Sequence, residues 1–392
     1  MLRAGAGFSI QSNPRAAALE ATQSALKQAG LRVADAALCF ASSALGGAFP
    51  AIVRTVAEAA GTTNIAGCGS IGVIANGREF EHRPSLAVLL WSSDMVEAHR
   101  VFVPQLRGRG REAAEELLSF VRPKLGPTNL LCLFPDTYNF EAEPFMNTLV
   151  SQLPSVAIVG GGATEDGSVG ETFQFCGDVV SSNSVAGMML SGDFQIDTGA
   201  ALACAPLGRT HTVTSVQGNT ILALDGRRAY DVFSEAAGPL ITDLRRALGF
   251  VFLGIPLENG GERLRRGNFY VRNVIGASPE HGAIAVAHRP QLGDTVGFVL
   301  RDGEGSRKEL KAMLESLKVS AKAPGFGLYF DCVSRGAGLY NIPDHDAAYI
   351  GQFFEQVPIA GFFTGFEFGP LGDGTGLLQY SGVLALVSEG RA

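Results

Sequence analysis

The residues best placed to do chemistry in this sequence are a lone carboxylate among aromatic rings, an arginine, a thiol and several glycine-ended strands. Glu367 stands in Gly361-Phe362-Phe363-Thr364-Gly365-Phe366-Glu367-Phe368, and an acid in such company is costly to bury unless something pairs with it. The candidate partner lies upstream in Phe330-Asp331-Cys332-Val333-Ser334-Arg335-Gly336. Arg335 offers a planar fork for a carboxylate and Glu367 could hold an ammonium, so the pair together would read an amino acid. The same two residues could equally be a buried ion pair that fixes two strand ends. Phe363, Thr364 and Gly361 would line the same crevice. Cys332 beside Arg335 suggests a second chemistry, a thiol activated by a neighbouring cation with Glu367 as acid or base. No histidine lies in either motif, so that nucleophile has no visible base.

The elements that must position these residues recur along the chain. Ile359-Ala360-Gly361 has counterparts in Ile65-Ala66-Gly67 and Ile158-Val159-Gly160, each followed by small or hydroxyl residues. The step from the preceding strand end to the glycine is 25 residues (Ser42 to Gly67), 25 (Pro135 to Gly160) and 29 (Cys332 to Gly361), with a helix-like stretch between. Apolar strands beginning at Ser85, Ser184 and Ser381 follow the turns. A period this long argues for duplicated β-α-β units in packed domains. The fold class expected is therefore α/β, two related domains built from repeated β-α-β-β units with mixed sheets. Glycine-ended strands expose backbone N–H groups that can accept an anion, which makes Gly67, Ser70, Gly161 and Thr164 candidate ligand contacts. Tight packing against a helix explains the glycines as well. Their spacing matches neither GxGxxG nor the P-loop, so no nucleotide site is expected.

The 392 residues, with 46% hydrophobic and 18% charged, describe a globular protein of two domains, perhaps three, with ample core. A net charge of −7 gives no basic field for nucleic acid or anionic lipid. The small groups Arg107, Arg109, Arg111 and Arg263, Arg265, Arg266 read as solvated loops or helix ends. Six widely spaced cysteines without a CxxC pair fit a reduced, cytoplasmic compartment better than disulfides or zinc. No signal peptide is expected, and Leu248 to Leu257 is too short to span a bilayer. His82, His99, His211, His281 and His288 are scattered; one of them could ligate haem, though each also reads as an ordinary surface or core histidine. Asp344-His345-Asp346 reads as a helix start with its acids in the first turn.

Asn13 before Pro14 caps a helix that Gly30 stops. Near residue 200 the texture changes: Thr210 to Val216 and Thr220 to Leu224 alternate around Gln217-Gly218-Asn219, a β-hairpin pattern. A helix from Ala229, strands near Phe269 to Ile275, Ala283 to Ala287 and Thr295 to Leu300, and a helix over Lys308 to Leu317 follow. The domain boundary is placed near 205, giving 1–205 and 206–392. Arg272 and Asn219 are further candidates for polar lining, and Leu339-Tyr340-Asn341-Ile342-Pro343 is a candidate exposed docking loop.

With Gly5-x-Gly-x-Ser9, Ile65-Ala66-Gly67-Cys68, the Thr214 to Gly226 hairpin, Val271 to Gly276, Cys332-x-x-Arg335-Gly336 and Gly361-Phe362-Phe363-x-x-x-Glu367, the chain resembles the FIST domain and its C-terminal half over nearly its whole length. The resemblance implies a cytoplasmic sensory module of bacterial signal transduction that binds a small ligand such as an amino acid, and binding in place of catalysis. The sequence differs from the multidomain members in showing no kinase, cyclase or methyl-accepting segment after the sensor. The expected partner is then a small-molecule ligand and a separate signalling protein such as a separately encoded kinase. The alternatives are a haem-binding gas sensor, an enzyme using Cys332 and Glu367, and a protein-interaction scaffold with a vestigial crevice.

Overall fold

The computed structural model describes residues 1–265 and 267–390; Arg266 lies outside them. They form two compact units, one of Met1–Ala201, Leu310–Leu377 and the chain from Ser381, the other of Leu202–Glu309 with Leu378–Tyr380.

The first unit contains one pattern three times: strand, helix, strand, helix, strand, hairpin, strand. The first copy is β1 (Arg3–Ser9), α1 (Pro14–Ala29), β2 (Ala36–Ser42), α2 (Phe49–Ala60), β3 (Ile65–Ser70), the hairpin β4 (Gly72–Ala75) and β5 (Arg78–Glu81), and β6 (Leu86–Ser92). The second is β7 (Val96–Pro104), α3 (Gly110–Val121), β8 (Thr128–Pro135), α4 (Ala142–Gln152), β9 (Ala157–Gly161), the hairpin β10 (Gln174–Cys176) and β11 (Val179–Ser181), and β12 (Ser184–Gly192). The third opens with β13 (Phe194–Leu202), and then the chain leaves for the second unit. There β14 (Cys204–Gln217), β15 (Thr220–Leu224), β16 (Arg227–Arg228), α5 (Ala229–Ala237), α6 (Leu244–Phe250), β17 (Val251–Pro256), β18 (Phe269–Arg272), β19 (Val274–Ser278), β20 (Ala283–Val286) and β21 (Thr295–Arg301) build one eight-stranded sheet with its own apolar core. The third copy resumes with α7 (Gly303–Ser320), β22 (Pro324–Cys332), α8 (Gly336–Tyr340) and α9 (His345–Phe353). It ends with β23 (Ile359–Thr364), the hairpin β24 (Glu367–Leu371) and β25 (Gly374–Leu378), and β26 (Ser381–Glu389).

The expected β-α-β-β repeats are therefore present, each preceded by a further strand and helix. The chain enters the second unit at Leu202, and 206–392 is shared between the units because the third repeat resumes within it. The second unit is an insertion between the first strand and first helix of that repeat. The single strand expected near Phe269 to Ile275 is interrupted at Asn273 into β18 and β19.

Each repeat orders its sheet as first, last, second and third strand, with the second and third parallel, as at Cys39↔Gly67, Leu133↔Gly160 and Tyr329↔Gly361. The hairpins are exchanged. That of the first repeat adds to the third repeat's sheet, that of the third to the second, and that of the second to the first. In register, Ile74, Phe368 and Phe175 lie opposite Gly361, Gly160 and Gly67.

Each sheet buries one face under its own helices, with alanines of α1 and β2 against Ile52 and Val56, for example. The other faces meet around Phe40, Phe134 and Phe330, which occupy the same position in the three repeats, with Phe362 among them at ring-centroid distances of 4.9, 5.8 and 5.6 Å. Burial on both faces explains why the central strands read as continuous apolar runs. The glycine of each repeat is dictated by the same close approach. A Cβ on Gly67, Gly160 or Gly361 would overlap the carbonyl oxygen of Cys39, Leu133 or Tyr329 in the neighbouring strand.

Candidate functional site

Arg335 leaves the end of β22 and turns back into the first unit, where it is fully buried. Its Nε lies 2.7 Å from Asp331 Oδ1, its Nη2 lies 2.5 Å from Asp346 Oδ2 and donates to the Tyr340 hydroxyl at 2.8 Å, and its Nη1 donates to the Ala201 carbonyl at 3.2 Å. The Tyr329 hydroxyl stands between the two carboxylates, 2.8 Å from Asp346 and 3.3 Å from Asp331. His345 Nδ1 is 3.0 Å from Asp346 Oδ1, and its ring stacks on Tyr340.

The two acids are pushed in opposite directions. Burial raises Asp331 well above the usual carboxylate range, and neighbouring Asp346 adds to the rise. Burial acts on Asp346 in the same sense, but Arg335 and the hydrogen bonds from His345, Arg335 and Tyr329 outweigh it and hold Asp346 below the usual range. Burial opposes the charge on Arg335, and Asp346 foremost restores it. Arg335 meets both carboxylates, and the site favours the charge on Asp346 and the proton on Asp331.

The pairing of Arg335 with Glu367 expected from the sequence does not occur. Glu367 is also fully buried, but its oxygens accept from the Thr364 hydroxyl at 2.5 Å, the Ser381 hydroxyl at 2.6 Å and the Ser381 N–H at 3.2 Å. Burial raises it to about 7 against those hydrogen bonds. The register supplies the reason. Glu367 faces Gly161 as Gln174 faces Cys68, and Gln174 likewise meets the serine that opens its own repeat's last strand, Ser184, at 2.9 Å. In these two repeats the position anchors the exchanged hairpin to the strand that follows it, an amide serving as well as an acid; the first repeat's hairpin has Val73 there.

The other expected site residues fall into three places. The Thr364 hydroxyl lies 3.0 Å from the Asp331 carbonyl as well as against Glu367, Cys332 is buried at the end of β22, and Phe363 is packed with Ile74 and Tyr329. The Gly turns of the three repeats do come together. Thr164 Oγ1 donates to the Phe363 carbonyl at 2.6 Å and accepts from the Ile71 N–H, Ser70 Oγ lies 2.8 Å from the same carbonyl, and Gly365 N–H reaches the Gly162 carbonyl. A Cβ on Gly161 would overlap the Phe366 carbonyl. The hydroxyls and amides of these turns are spent on one another. Arg272 lies in the second unit, its guanidinium over the Tyr270 ring and donating to the Val271 carbonyl, and Asn219 closes a turn there on Val286. The proposed docking loop is half inside: Tyr340 is buried against His345, while Ile342 is exposed.

Sequence reasoning missed Asp346 as the partner of Arg335, and missed Glu79 altogether. Glu79, on β5 opposite Ile74, is buried; its Oε1 accepts from the Ala347 N–H at 2.8 Å and its N–H donates to Asp344. Burial raises it to about 8, with Asp346, Glu81 and Asp344 adding to the rise. A buried arginine four residues after an acid was the available signal for Asp331; Asp346 was masked by its place in a helix first turn.

Beside this network lies an open cleft of about 450 Å³, lined by α1, the β4–β5 turn, α9 and the start of β23. Its floor is apolar, with Ile74, Ile350, Phe354, Val357 and Ile359. Gln28, Asn76, Gln356 and Glu355 supply polar groups. Asn76 holds its place through bonds to the Ile359 carbonyl and the Ala6 carbonyl. Among the described residues no group of acids, histidines and cysteines has metal-binding geometry, and no helix is long and apolar enough to cross a membrane.

The repeats and the buried acid–arginine network define a class, an α/β protein of three hairpin-exchanging repeats carrying a second unit in the third. Sequence comparison narrows it: the FIST N domain matches residues 35–227 and the FIST C domain residues 229–370. The chain belongs to the FIST family, whose domains are sensory modules of signal transduction. Similar full-length relatives include an uncharacterized protein of Mycobacterium tuberculosis strain H37Rv, 29% identical over 98% of this chain and 99% of its own. An uncharacterized protein of Mycobacterium bovis is 27% identical over 98% of each. Among solved structures, cyanuric acid hydrolase from A. caulinodans aligns over all of both chains at 9% identity and a TM-score of 0.35.

Proposed function

We propose that this chain is a cytoplasmic sensor whose first unit takes a small amino acid with an apolar side chain in the cleft between α1, the β4–β5 turn, α9 and β23, and passes the signal to a separate protein such as a kinase. The observation that carries the reading is the cleft's composition. An apolar floor with a few convergent polar groups is the usual form of a small-molecule site. Glu355 would take the ammonium, the carboxamides of Gln28 and Gln356 would take the carboxylate, and Ile74, Ile350 and Ile359 the side chain. No arginine or lysine lines the cleft, so a simple carboxylate is less well served than a zwitterion. The site is moved from Arg335 and Glu367 because both are fully buried and engaged within the chain. Six buried cysteines, none of them in a disulfide among the described residues, are in keeping with a reducing compartment.

Calorimetry with a panel of aliphatic amino acids at pH 6 tests the reading. Gly351 lines the cleft, and a Cβ there meets nothing closer than 3.9 Å, so Gly351→Leu fills the cleft without disturbing α9. Binding to the wild type that is abolished by Gly351→Leu and weakened about tenfold by Glu355→Gln, about 1.4 kcal/mol, supports the site. No heat with any of the panel, or binding indifferent to Gly351→Leu, overturns it.

A further inference from the structure

The cleft is walled by two elements that hold each other through very few groups. The β4–β5 hairpin provides Ile74, Asn76 and Gly77, and α9 provides Ala347, Ile350 and Gly351. Glu79, cross-strand partner of Ile74, receives the Ala347 N–H at 2.8 Å, and Asp344 at the start of α9 receives the Glu79 N–H at 2.6 Å and the Arg78 guanidinium at 2.8 Å. Glu81 receives the N–H of Ala337 at the start of α8. The second oxygen of Glu79 is buried and has no partner, and neither has Asp331 Oδ2. Two buried acids, Asp331 and Asp346, thus share the guanidinium of Arg335, and Glu79 stands in their field without a bond to it. An unpartnered buried oxygen is tolerable on a neutral carboxyl and costly on an ionised one.

We propose that Glu79 is a proton-operated latch on the cleft: with its proton it joins the hairpin to α9, and when the proton leaves the two walls separate and the cleft loses its ligand-competent shape. The proposal concerns the regulation of the cleft described above and rests on that reading for its biological consequence. The groups facing Glu79 all bear on the outcome. Those that act on its charge are Asp346 and Asp344 at the start of α9, Glu81 on its own strand and Asp331 on β22, while Arg78 pairs with Asp344, and Arg335, Tyr329 and His345 bond Asp346, with Tyr340 on Arg335. Asp346, Glu81 and Asp344 raise Glu79 further beyond what burial does, and the guanidinium of Arg335 is committed to Asp346. Ionisation therefore places a charge beside acids, on an oxygen that has no hydrogen-bond partner among the described residues. Because the closed state holds the proton to about pH 8 and an open one would release it near the ordinary carboxylate range, opening becomes easier about tenfold per pH unit up to pH 8 and levels off above it.

Amide hydrogen exchange on the unliganded full chain from pH 5.5 to 9, expressed as protection relative to the intrinsic rate, reads the latch directly. The expected result is that protection of α9 and of β4–β5 falls about tenfold per unit to near pH 8, while α1 stays constant. Glu79→Gln, permanently neutral, should flatten the profile at high protection, and Glu81→Gln, which removes one of the charges that raise Glu79, should keep the fall but end it at a somewhat lower pH. A wild-type profile without pH dependence overturns the latch, as does a dependence that persists in Glu79→Gln or disappears only in Asp331→Asn. Should Glu79→Gln fail to fold, the carboxyl carbon of Glu79 followed by NMR in the wild type decides: a midpoint near 8 supports the latch and one near 4.5 overturns it. No ligand is needed, so failure here leaves the cleft reading intact, and failure of the calorimetry leaves the latch to be judged on exchange alone.

Discussion

At the scale of single residues, Asp331 and Asp346 stand against the same guanidinium and should respond unequally to replacement by asparagine. Asp346→Asn removes the charge that foremost sustains the buried Arg335 and should cost about 3–5 kcal/mol. Asp331→Asn replaces the acid on which the site favours a proton and should cost less than about 1 kcal/mol. Chemical denaturation of the two variants at pH 7 checks the assignment, and equal losses would refute it. Glu367 makes a prediction with a sign in pH. Its folded-state value of about 7 lies above the ordinary 4.5, so the folded chain holds the proton more tightly than the unfolded one. The resulting stabilisation is complete below about pH 4.5 and is lost as pH rises through 7. Between pH 4.5 and 8 the wild type should therefore lose on the order of 3 kcal/mol relative to Glu367→Gln, measured as the difference in unfolding free energy at the two ends. A parallel pH dependence in the two proteins would show that Glu367 is ionised throughout.

At the scale of elements, the glycine at the parallel strand crossing is the recurring device. Gly67→Ala, Gly160→Ala and Gly361→Ala each drive a methyl into a neighbouring carbonyl, and φ is positive at Gly67 and Gly160 as well. Each should cost more than about 2 kcal/mol, with a thermal melt as the measure. Gly338→Ala, in α8 with open space at its Cβ, should be neutral or stabilise by up to about 1 kcal/mol. This is also where the sequence was most informative. Ile-Ala-Gly and Ile-Val-Gly stand out because the crossing admits only glycine, and Asn13-Pro14 and Gly30 mark α1 because capping is local: Asn13 accepts the Ala16 N–H, and Gly30 takes φ 63°. The partners of Arg335 and Glu367 were not legible for the opposite reason. Each strand end has several acids and hydroxyls within reach, and which one meets the guanidinium depends on how β22 and α9 pack. The exchange of hairpins was hidden too, since Gly72–Glu81 reads as a local hairpin whichever sheet it joins.

At the scale of the whole molecule, the insertion of the second unit is held at its neck by a hydrogen bond from the Asp302 N–H to the Ala203 carbonyl. The two ends are therefore close enough for a short loop. A chain in which a Gly-Ser turn replaces residues 205–300 should keep a cooperative thermal transition, because the first unit retains its three sheets and their helices; a broad, non-cooperative melt would show that the insertion is part of that unit's core. The exchange of hairpins bears on how the chain is made. On a ribosome, the sheet of the first repeat stays short of two strands until residue 181 has emerged, and that of the second until β24 and β25 have emerged. The third repeat receives a hairpin made long before it. A nascent chain halted between β23 and β24 would then display the bare edge of β9, an invitation to intermolecular strand pairing, so the β24–β25 hairpin acts as the closure of the second sheet.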